Sequence, residues 1–374
     1  MSYKDKISQK LLARKAENAL RTLTIREGLI DFFSNDYIGF ARNKTLHEAI
    51  QNKEKAYAPQ VCNGSTGSRL LSGNSRLAEE VESYLAEFLQ TERTLLFNSG
   101  YNANVGVLSA LPQKGDTILY DELIHASLKD GARLSFADRL SFRHNDVQDL
   151  ERKIAKAKGD IFVVAESIYS MDGDEAPLHD IVRIAKQYNA CVIIDEAHAT
   201  GTCGPQGRGL VIEQNVQNDI DIRVHTFGKA MGIHGACVAG SAELIEYLIN
   251  FSRPFIYTTA FAPHAFFSVY AAFEQLRQSE ETIAALHKNI QLLTAGLAKH
   301  ACYIPSTSAI HVLKIGGNDL VKELAKAIQQ NGFDVRPILS PTVKKGEERL
   351  RFCIHAFNTE QQIADLLTCI ENHL

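Results

Sequence analysis

DIFVVAESIYSMDGDEAPLHDIVRIAKQYNACVIIDEAH, residues 160–198, holds two short apolar runs on either side of a helix-like segment. Phe162–Val164 and Val192–Ile194 are apolar at successive positions, so a strand built from either is hydrophobic on both faces. Such strands are stable when helices cover both sides of the sheet, and His179–Tyr188 reads as one covering helix. Strand, helix and strand in that order predict a parallel pair.

The alternation continues in both directions. Towards the N-terminus, Thr94–Phe97 reads as a strand, Asn98-Ser99-Gly100 as a turn and Asn102–Leu111 as a helix. Thr117–Asp121 is a strand leading to the segment around His125, and RLSFRH (139–144) is a strand before a helix over Val147–Lys158. Towards the C-terminus come the glycine-rich loop GTCGPQGRG (201–209) and a β-prone run, Ile222–Val224. These elements predict an α/β fold, a three-layer α/β/α domain on a mostly parallel sheet. From His264 onward, helices over His264–Gln278, Thr282–Leu297, Asp319–Gln330 and Thr359–Glu371 alternate with HVLKIG (311–316), DVRPIL (334–339) and RLRFCIHAF (349–357). That pattern predicts a smaller α+β domain. At the other end, one helix is expected from Lys4 to about Leu23, with Ile7, Leu11, Leu12, Ala16, Ala19 and Leu20 as its stripe, then a strand over Leu29–Phe33. The expected organisation is an N-terminal helix and arm over 1–45, a large domain over 46–265 and a small domain over 266–374.

Composition removes several function classes. With 40 basic and 44 acidic residues in 374, the net charge of -4 gives no footprint for nucleic acid or an anionic membrane. No run approaches the roughly 20 apolar residues of a membrane span, and the charged start lacks a signal peptide's apolar core, so a cytoplasmic protein is expected. Cys62, Cys191, Cys203, Cys237, Cys302, Cys353 and Cys369 are scattered without CxxC spacing and read as buried free thiols.

In a doubly wound sheet the reactive side chains stand beyond the C-terminal ends of strands. His125, Glu166, Ser167, Ser170, Asp195, His198, Thr226 and Lys229 occupy such positions. Lys229 lies in DIRVHTFGKAMGIHGACVAG (221–240), between Gly228 and the small residues Gly232, Gly235, Ala236 and Gly240. An ammonium group just past a buried strand is costly unless something uses it, although that stretch alone fits a surface turn equally well. Asp195, His198 and His125 could be read as metal ligands, but Lys229 is a repelling cation and no compact ligand motif is present. A lysine Schiff-base site needs an amine, an acid opposite a pyridine nitrogen, a flat group over the ring and a phosphate cradle. One group is available for each, the cradle coming from the helix start at Gly100. The glycines around Lys229 would then let backbone and ring approach closely. His144 and His179 lack this context and read as structural.

Taken together, SNDYIGF (34–40), GSTGSRLLSG (64–73), SGYNAN (99–104), HASLKDG (125–131), ESIYSMDGDEAPL (166–178), DEAHATGTCGPQGRG (195–209), HTFGKAMGIHGA (225–236) and ERLRF (348–352) resemble the α-oxoamine synthases, fold-type-I pyridoxal-phosphate enzymes. The resemblance runs from near Ile7 to the last helix. It implies pyridoxal 5'-phosphate (PLP) on Lys229, which also acts as the base at the substrate Cα, and Asp195 at the ring nitrogen. It implies His125 over the ring, His198 at the phenolic oxygen, and Glu166 and Ser170 supporting them. Gly100, Tyr101 and Thr226 would hold the phosphate, with Thr258 or Thr259 reaching in from the partner of a homodimer whose active sites lie at the interface. Arg351 would grip the amino acid carboxylate and Arg21 would lie near the acyl substrate. The reaction implied is decarboxylative condensation of an acyl-CoA, or an acyl carrier protein, with a small amino acid, and the wording around Lys229 points to a pimeloyl thioester and L-alanine. Glycine with an acetyl thioester, serine with a palmitoyl thioester, and a non-catalytic PLP-fold binding protein are the alternatives. Ala78, Ser340-Pro341 and His311 depart from the family's usual residues, which bears on the substrate more than on the reaction.

Overall fold

The computed structural model describes residues 1–25, 27–57 and 63–374, so Cys62 lies outside the described residues. By their contacts these fall into two compact units, Ile38–Ser170 with Glu175–Ile283, and Met1–Tyr37 with Met171–Asp174 and Ala284–Leu374.

The chain opens with α1 (Tyr3–Ala16), capped by the Ser2 hydroxyl accepting from Asp5 N while the Asp5 carboxylate accepts from Ser2 N. The helix stops well short of the expected Leu23. Asn18 adopts φ 50, and the Glu17, Asn18 and Ala19 amides fold back onto the last turn, closing it. None of its residues is buried, so Ile7, Leu11, Leu12 and Ala16 of the apolar stripe face outward, while Ala19 beyond the helix end is buried. A two-residue strand, β1 (Ile30–Asp31), follows in place of the longer one expected.

The larger unit contains α2 (Lys44–Tyr57), α3 (Arg76–Phe88), β2 (Arg93–Phe97), α4 (Gly100–Ala110), β3 (Thr117–Asp121), α5 (Ala126–Leu134), β4 (Asp138–Phe142) and α6 (Val147–Ile154). It continues through β5 (Ile161–Glu166), α7 (Leu178–Gln187), β6 (Cys191–Asp195), α8 (Leu210–Glu213), β7 (Ile222–Thr226), β8 (Ala236–Gly240), α9 (Ala242–Phe251), α10 (Arg253–Ile256) and α11 (Pro263–Leu276). The strands form a seven-stranded sheet in the order β2-β8-β7-β6-β5-β3-β4. All neighbours are parallel except the two pairs made by β8. The central strands are apolar on both faces as their sequence requires, with Val163, Val164, Val192, Ile193, Ile194 and Val224 all buried. Each such side chain contributes about 1.5–3 kcal/mol of burial free energy.

Strand β8 has only small and apolar residues and no alternating pattern, so its own sequence does not announce it. It forms because the 227–235 turn reverses the chain beside β7. Two glycines there make close approaches to protein: a Cβ on Gly232 (φ +62) would lie 2.1 Å from Ala41 N, and one on Gly235 (φ +117) 2.6 Å from the Phe261 ring.

The second unit contains most of α12 (Glu280–Leu297), then β9 (Tyr303–Ile304), β10 (Ile310–Lys314), α13 (Asn318–Gln330), β11 (Phe333–Asp334), β12 (Arg336–Ile338), β13 (Arg349–Cys353) and α14 (Glu360–His373). Its four-stranded antiparallel sheet runs β12-β13-β10-β9, and β1 pairs in parallel with β11. Among the described residues no helix is long and apolar enough to cross a membrane.

Candidate active site

Parallel pairing brings the acidic groups together. The β5–β6 register sets Glu166 opposite Asp195, so two carboxyls end adjacent strands. Asp195 is buried, and both its oxygens are held: Oδ1 accepts from Ala197 N at 2.9 Å and Oδ2 from Asn104 Nδ2 at 2.7 Å. Glu166 is also buried and accepts from the backbone N–H of His125. Burial, reinforced by the Asp195 charge and opposed by Lys229, pushes its carboxyl up to about 8. The Ser170 N–H also bonds Glu166, tying the loop after β5 to this carboxyl.

Lys229 sits in the turn after β7, its Nζ 2.8 Å from His198 Nε2. His198 follows β6 in the DEAH segment and is buried. His125 is the N-cap of α5, where its Nδ1 accepts from Ser127 N at 3.2 Å. Burial holds its imidazole below the ordinary value; the Asp195 carboxylate pulls the other way and Lys229 adds to the effect of burial.

The expected phosphate residues meet at the start of α4. Ser99 caps this helix, accepting from Asn102 N at 3.2 Å, so the first N–H groups of an eleven-residue helix point outward beside Thr226. A Cβ on Gly100 would lie 2.1 Å from Thr226 Oγ1, so the absence of a side chain lets the hydroxyl meet the helix end. The Tyr101 hydroxyl instead donates to Asp130 Oδ2 at 2.8 Å, which leaves its backbone N–H as the group at the helix end. Asn98 holds the Thr258-Thr259 segment, donating to Thr258 Oγ1 at 3.2 Å and to the Thr259 carbonyl at 2.9 Å.

Lys229 beside His198, the buried Asp195 and the helix-end cradle match the amine, acid and phosphate contacts that PLP requires. Among the described residues no group of three or more His, Cys, Asp or Glu side chains is placed to hold a metal ion.

Arg351 and Arg21 belong to the second unit. Arg351 lies buried on β13, and its guanidinium donates to Asn35 Oδ1 at 3.1 Å, an oxygen that also accepts from Tyr37 OH at 3.0 Å. Arg21 is exposed and donates to Thr342 Oγ1 at 3.0 Å. Of the unusual residues, Ala78 is buried in the first turn of α3, and His311 is buried on β10 with Nδ1 3.0 Å from Tyr303 OH. Among the cysteines described, Cys191 and Cys302 are only half-buried, the others buried.

Asn104 and Ser127 were not singled out by the sequence reading. The available signal was the amide of Asn104, one turn into a helix that runs on as VGVL.

Glu196, next to Asp195, is fully buried against Gly209 and Val211, and burial pushes its carboxyl from 4.5 up to about 7. The folded state therefore holds this proton more tightly than the unfolded chain. The resulting stabilisation is complete below pH 4.5 and is lost as pH rises through about 7. At most about 3 kcal/mol is at stake. In the cofactor-free protein, Glu196→Gln is expected to flatten the fall of Tm between pH 5 and 8; parallel curves for variant and wild type would remove Glu196 from this role.

The chain matches the family model "Aminotransferase class I and II" over residues 27–370. It is 39% identical to the 8-amino-7-oxononanoate synthase of Emericella nidulans, covering 99% of this chain and 96% of that protein. It is 38% identical to that of Marinobacter nauticus, covering 91% and 86%. Among solved structures, Sphingomonas wittichii serine palmitoyltransferase superposes with TM-score 0.91 at 28% identity, covering 100% of this chain and 98% of that one. The 8-amino-7-oxononanoate synthase of Francisella tularensis superposes with TM-score 0.80 at 28% identity, covering 93% and 98%. The chain thus belongs to the aminotransferase class I and II family and, within it, to the α-oxoamine synthases, fold-type-I enzymes that use PLP.

Proposed function

We propose that this protein joins a pimeloyl thioester, carried by CoA or a carrier protein, to L-alanine with loss of CO2, forming 8-amino-7-oxononanoate in biotin synthesis. The broader reaction, PLP-dependent condensation of an acyl-CoA with an amino acid, is that of its family. The observation that carries the choice of substrates is the 38–39% identity, along nearly the whole chain, to proteins named for that product. The TM-score of 0.91 with a serine palmitoyltransferase supports serine and a long acyl thioester as the second reading.

When bound, PLP supplies the electron sink that lets an amino acid give up its Cα proton and later its carboxylate. The chain's part is to hold, orient and move protons. Lys229 takes the Cα proton and returns one after CO2 has left, and His198, 2.8 Å from its Nζ, aims that amine and serves the phenolic oxygen. The deprotonated Cα attacks the thioester carbonyl and the thiol departs. Asp195, fixed at both oxygens, holds a proton at the ring nitrogen. His125 covers the ring face, and Glu166 and Ser170 steady its backbone. Gly100 and Tyr101 N–H groups with the Thr226 hydroxyl take the phosphate. Arg351 takes the amino acid carboxylate, and Arg21 lies by the acyl chain. We assign Thr258 or Thr259 to the partner's phosphate in a cytoplasmic homodimer.

Crossing alanine, glycine and serine with pimeloyl, acetyl and palmitoyl thioesters in a thiol-release assay tests the substrates. Alanine with the pimeloyl thioester is expected to be fastest. Fastest turnover of glycine with acetyl-CoA, or of serine with palmitoyl-CoA, would replace the reading. A protein that bound PLP and turned over nothing would be a binding protein.

A further inference from the structure

One buried side chain beside Asp195 has no place in the roles above. On α4 the neighbours Ala103, Val107 and Leu108 are all buried and apolar, yet Asn104 is buried among them. Leu would fill the same space without a polar group. The Asn104 amide nitrogen has two hydrogens and two acceptors: Asp195 Oδ2 at 2.7 Å and Ser127 Oγ at 2.9 Å. Ser127 is itself fully buried, and its Oγ lies 2.7 Å from His125 Nδ1. That nitrogen already accepts from Ser127 N at 3.2 Å, which leaves the proton of the neutral imidazole on Nε2. A hydroxyl that receives from Asn104 is free to donate its own hydrogen to Nδ1, so one direction of donation runs from the amide through Ser127 to the ring. Asn104 Oδ1 is buried with no hydrogen-bond partner among the described residues. The amide is thus held by its two donors alone, one to each arm.

We propose that Asn104 is a positioning residue that couples the Asp195 carboxylate to the His125 imidazole through Ser127, setting the acid at the cofactor's ring nitrogen and the ring over its face as one unit. The proposal rests on the reading of Asp195 and His125 given above. Among the described residues Asp195, Lys229, Asp130 and Lys129 are charged groups that act on His125, and of these Asp195 is the one linked to it by this chain of donors.

Asn104→Leu tests it, because Leu fills the same space and presents no donor to Asp195 or Ser127. In the PLP-loaded full-length protein, the pH at which the band near about 420 nm changes is expected to rise by about one unit or more. Less positive charge at the ring nitrogen leaves the protonated Lys229 linkage less repelled. kcat is expected to fall about 10- to 100-fold with KM for the amino acid within about threefold. Ser127→Ala should leave that midpoint nearer wild type and act on the other arm. In the cofactor-free protein, histidine nitrogen NMR should then show the His125 Nδ1 resonance shifting as it loses the hydroxyl donor, while the backbone N–H at position 127 keeps the proton on Nε2. The pair Asn104→Ala and Ser127→Ala should be less than additive in kcat.

A wild-type midpoint and kcat in Asn104→Leu, or full additivity, would overturn the coupling. If the Asn104 variants do not fold, an unchanged His125 Nδ1 resonance in Ser127→Ala overturns it. Failure of the wild type to take up PLP would instead overturn the reading of the site, and the NMR experiment still judges the coupling.

Discussion

Lys229→Ala is expected to remove the absorbance near about 420 nm that the wild type gains on PLP addition and to lower turnover by about four orders of magnitude or more. Two functions go with one nitrogen. The covalent link to the cofactor needs a primary amine, and the Cα proton needs a base that can be reached and then returned to. The Nζ contacts His198, whose imidazole is fixed after β6 in a buried position and offers no primary amine to replace it. Apo stability should change little, since Lys229 stands in a turn and not in the sheet. The cofactor should still bind through its phosphate at α4 and Thr226, with a spectrum like that of free PLP. A band that survived unchanged would remove Lys229 from this role.

Asp195→Asn has the second-largest expected effect, a fall in kcat of about 100- to 1000-fold, or roughly 3–4 kcal/mol at the barrier. A neutral amide cannot hold a proton on the ring nitrogen, and an uncharged ring is a poorer electron sink. The hydrogen bonds make a second, cofactor-free prediction. Ala197 N and Asn104 Nδ2 both donate to Asp195, one to each oxygen. An asparagine there has one oxygen, so its amide nitrogen must face one of the two donors. That leaves a buried donor unmet and lowers apo stability by about 1–3 kcal/mol, readable as a drop in Tm. Near-normal turnover would refute the electrostatic role, and an unchanged Tm would refute the geometry.

Much of this was legible without coordinates because it is local. Strands such as Phe162–Val164 are apolar at consecutive positions, and that pattern has one stable environment, between layers of helices. The strand from Thr117 to Asp121 was read with the ends it has in the structure. Lys229, Asp195, His198 and His125 stand out as polar groups just past such strands. Where periodicity and burial part company, reading by period misleads. The N-terminal stripe has helical spacing, yet α1 ends at Ala16 and buries none of its residues. Period tells which residues share a face and is silent on what that face meets.

By itself, then, the sequence determined the layered α/β architecture, the family and the residues able to carry a lysine-bound cofactor. The architecture follows from the spacing of residues along short segments, and the family and its site residues from the resemblance carried by the ordered motifs. Tertiary structure alone decided the antiparallel insertion of β8 between β2 and β7, the use of Gly232 and Gly235 for contacts with Ala41 and Phe261, and the amide of Asn104 lying between Asp195 and Ser127. Asn104 and Asp195 are 91 residues apart, on a helix and on a strand whose meeting depends on the order of the whole sheet. A buried hydrogen bond of that kind is set by how elements pack, and no local period encodes it.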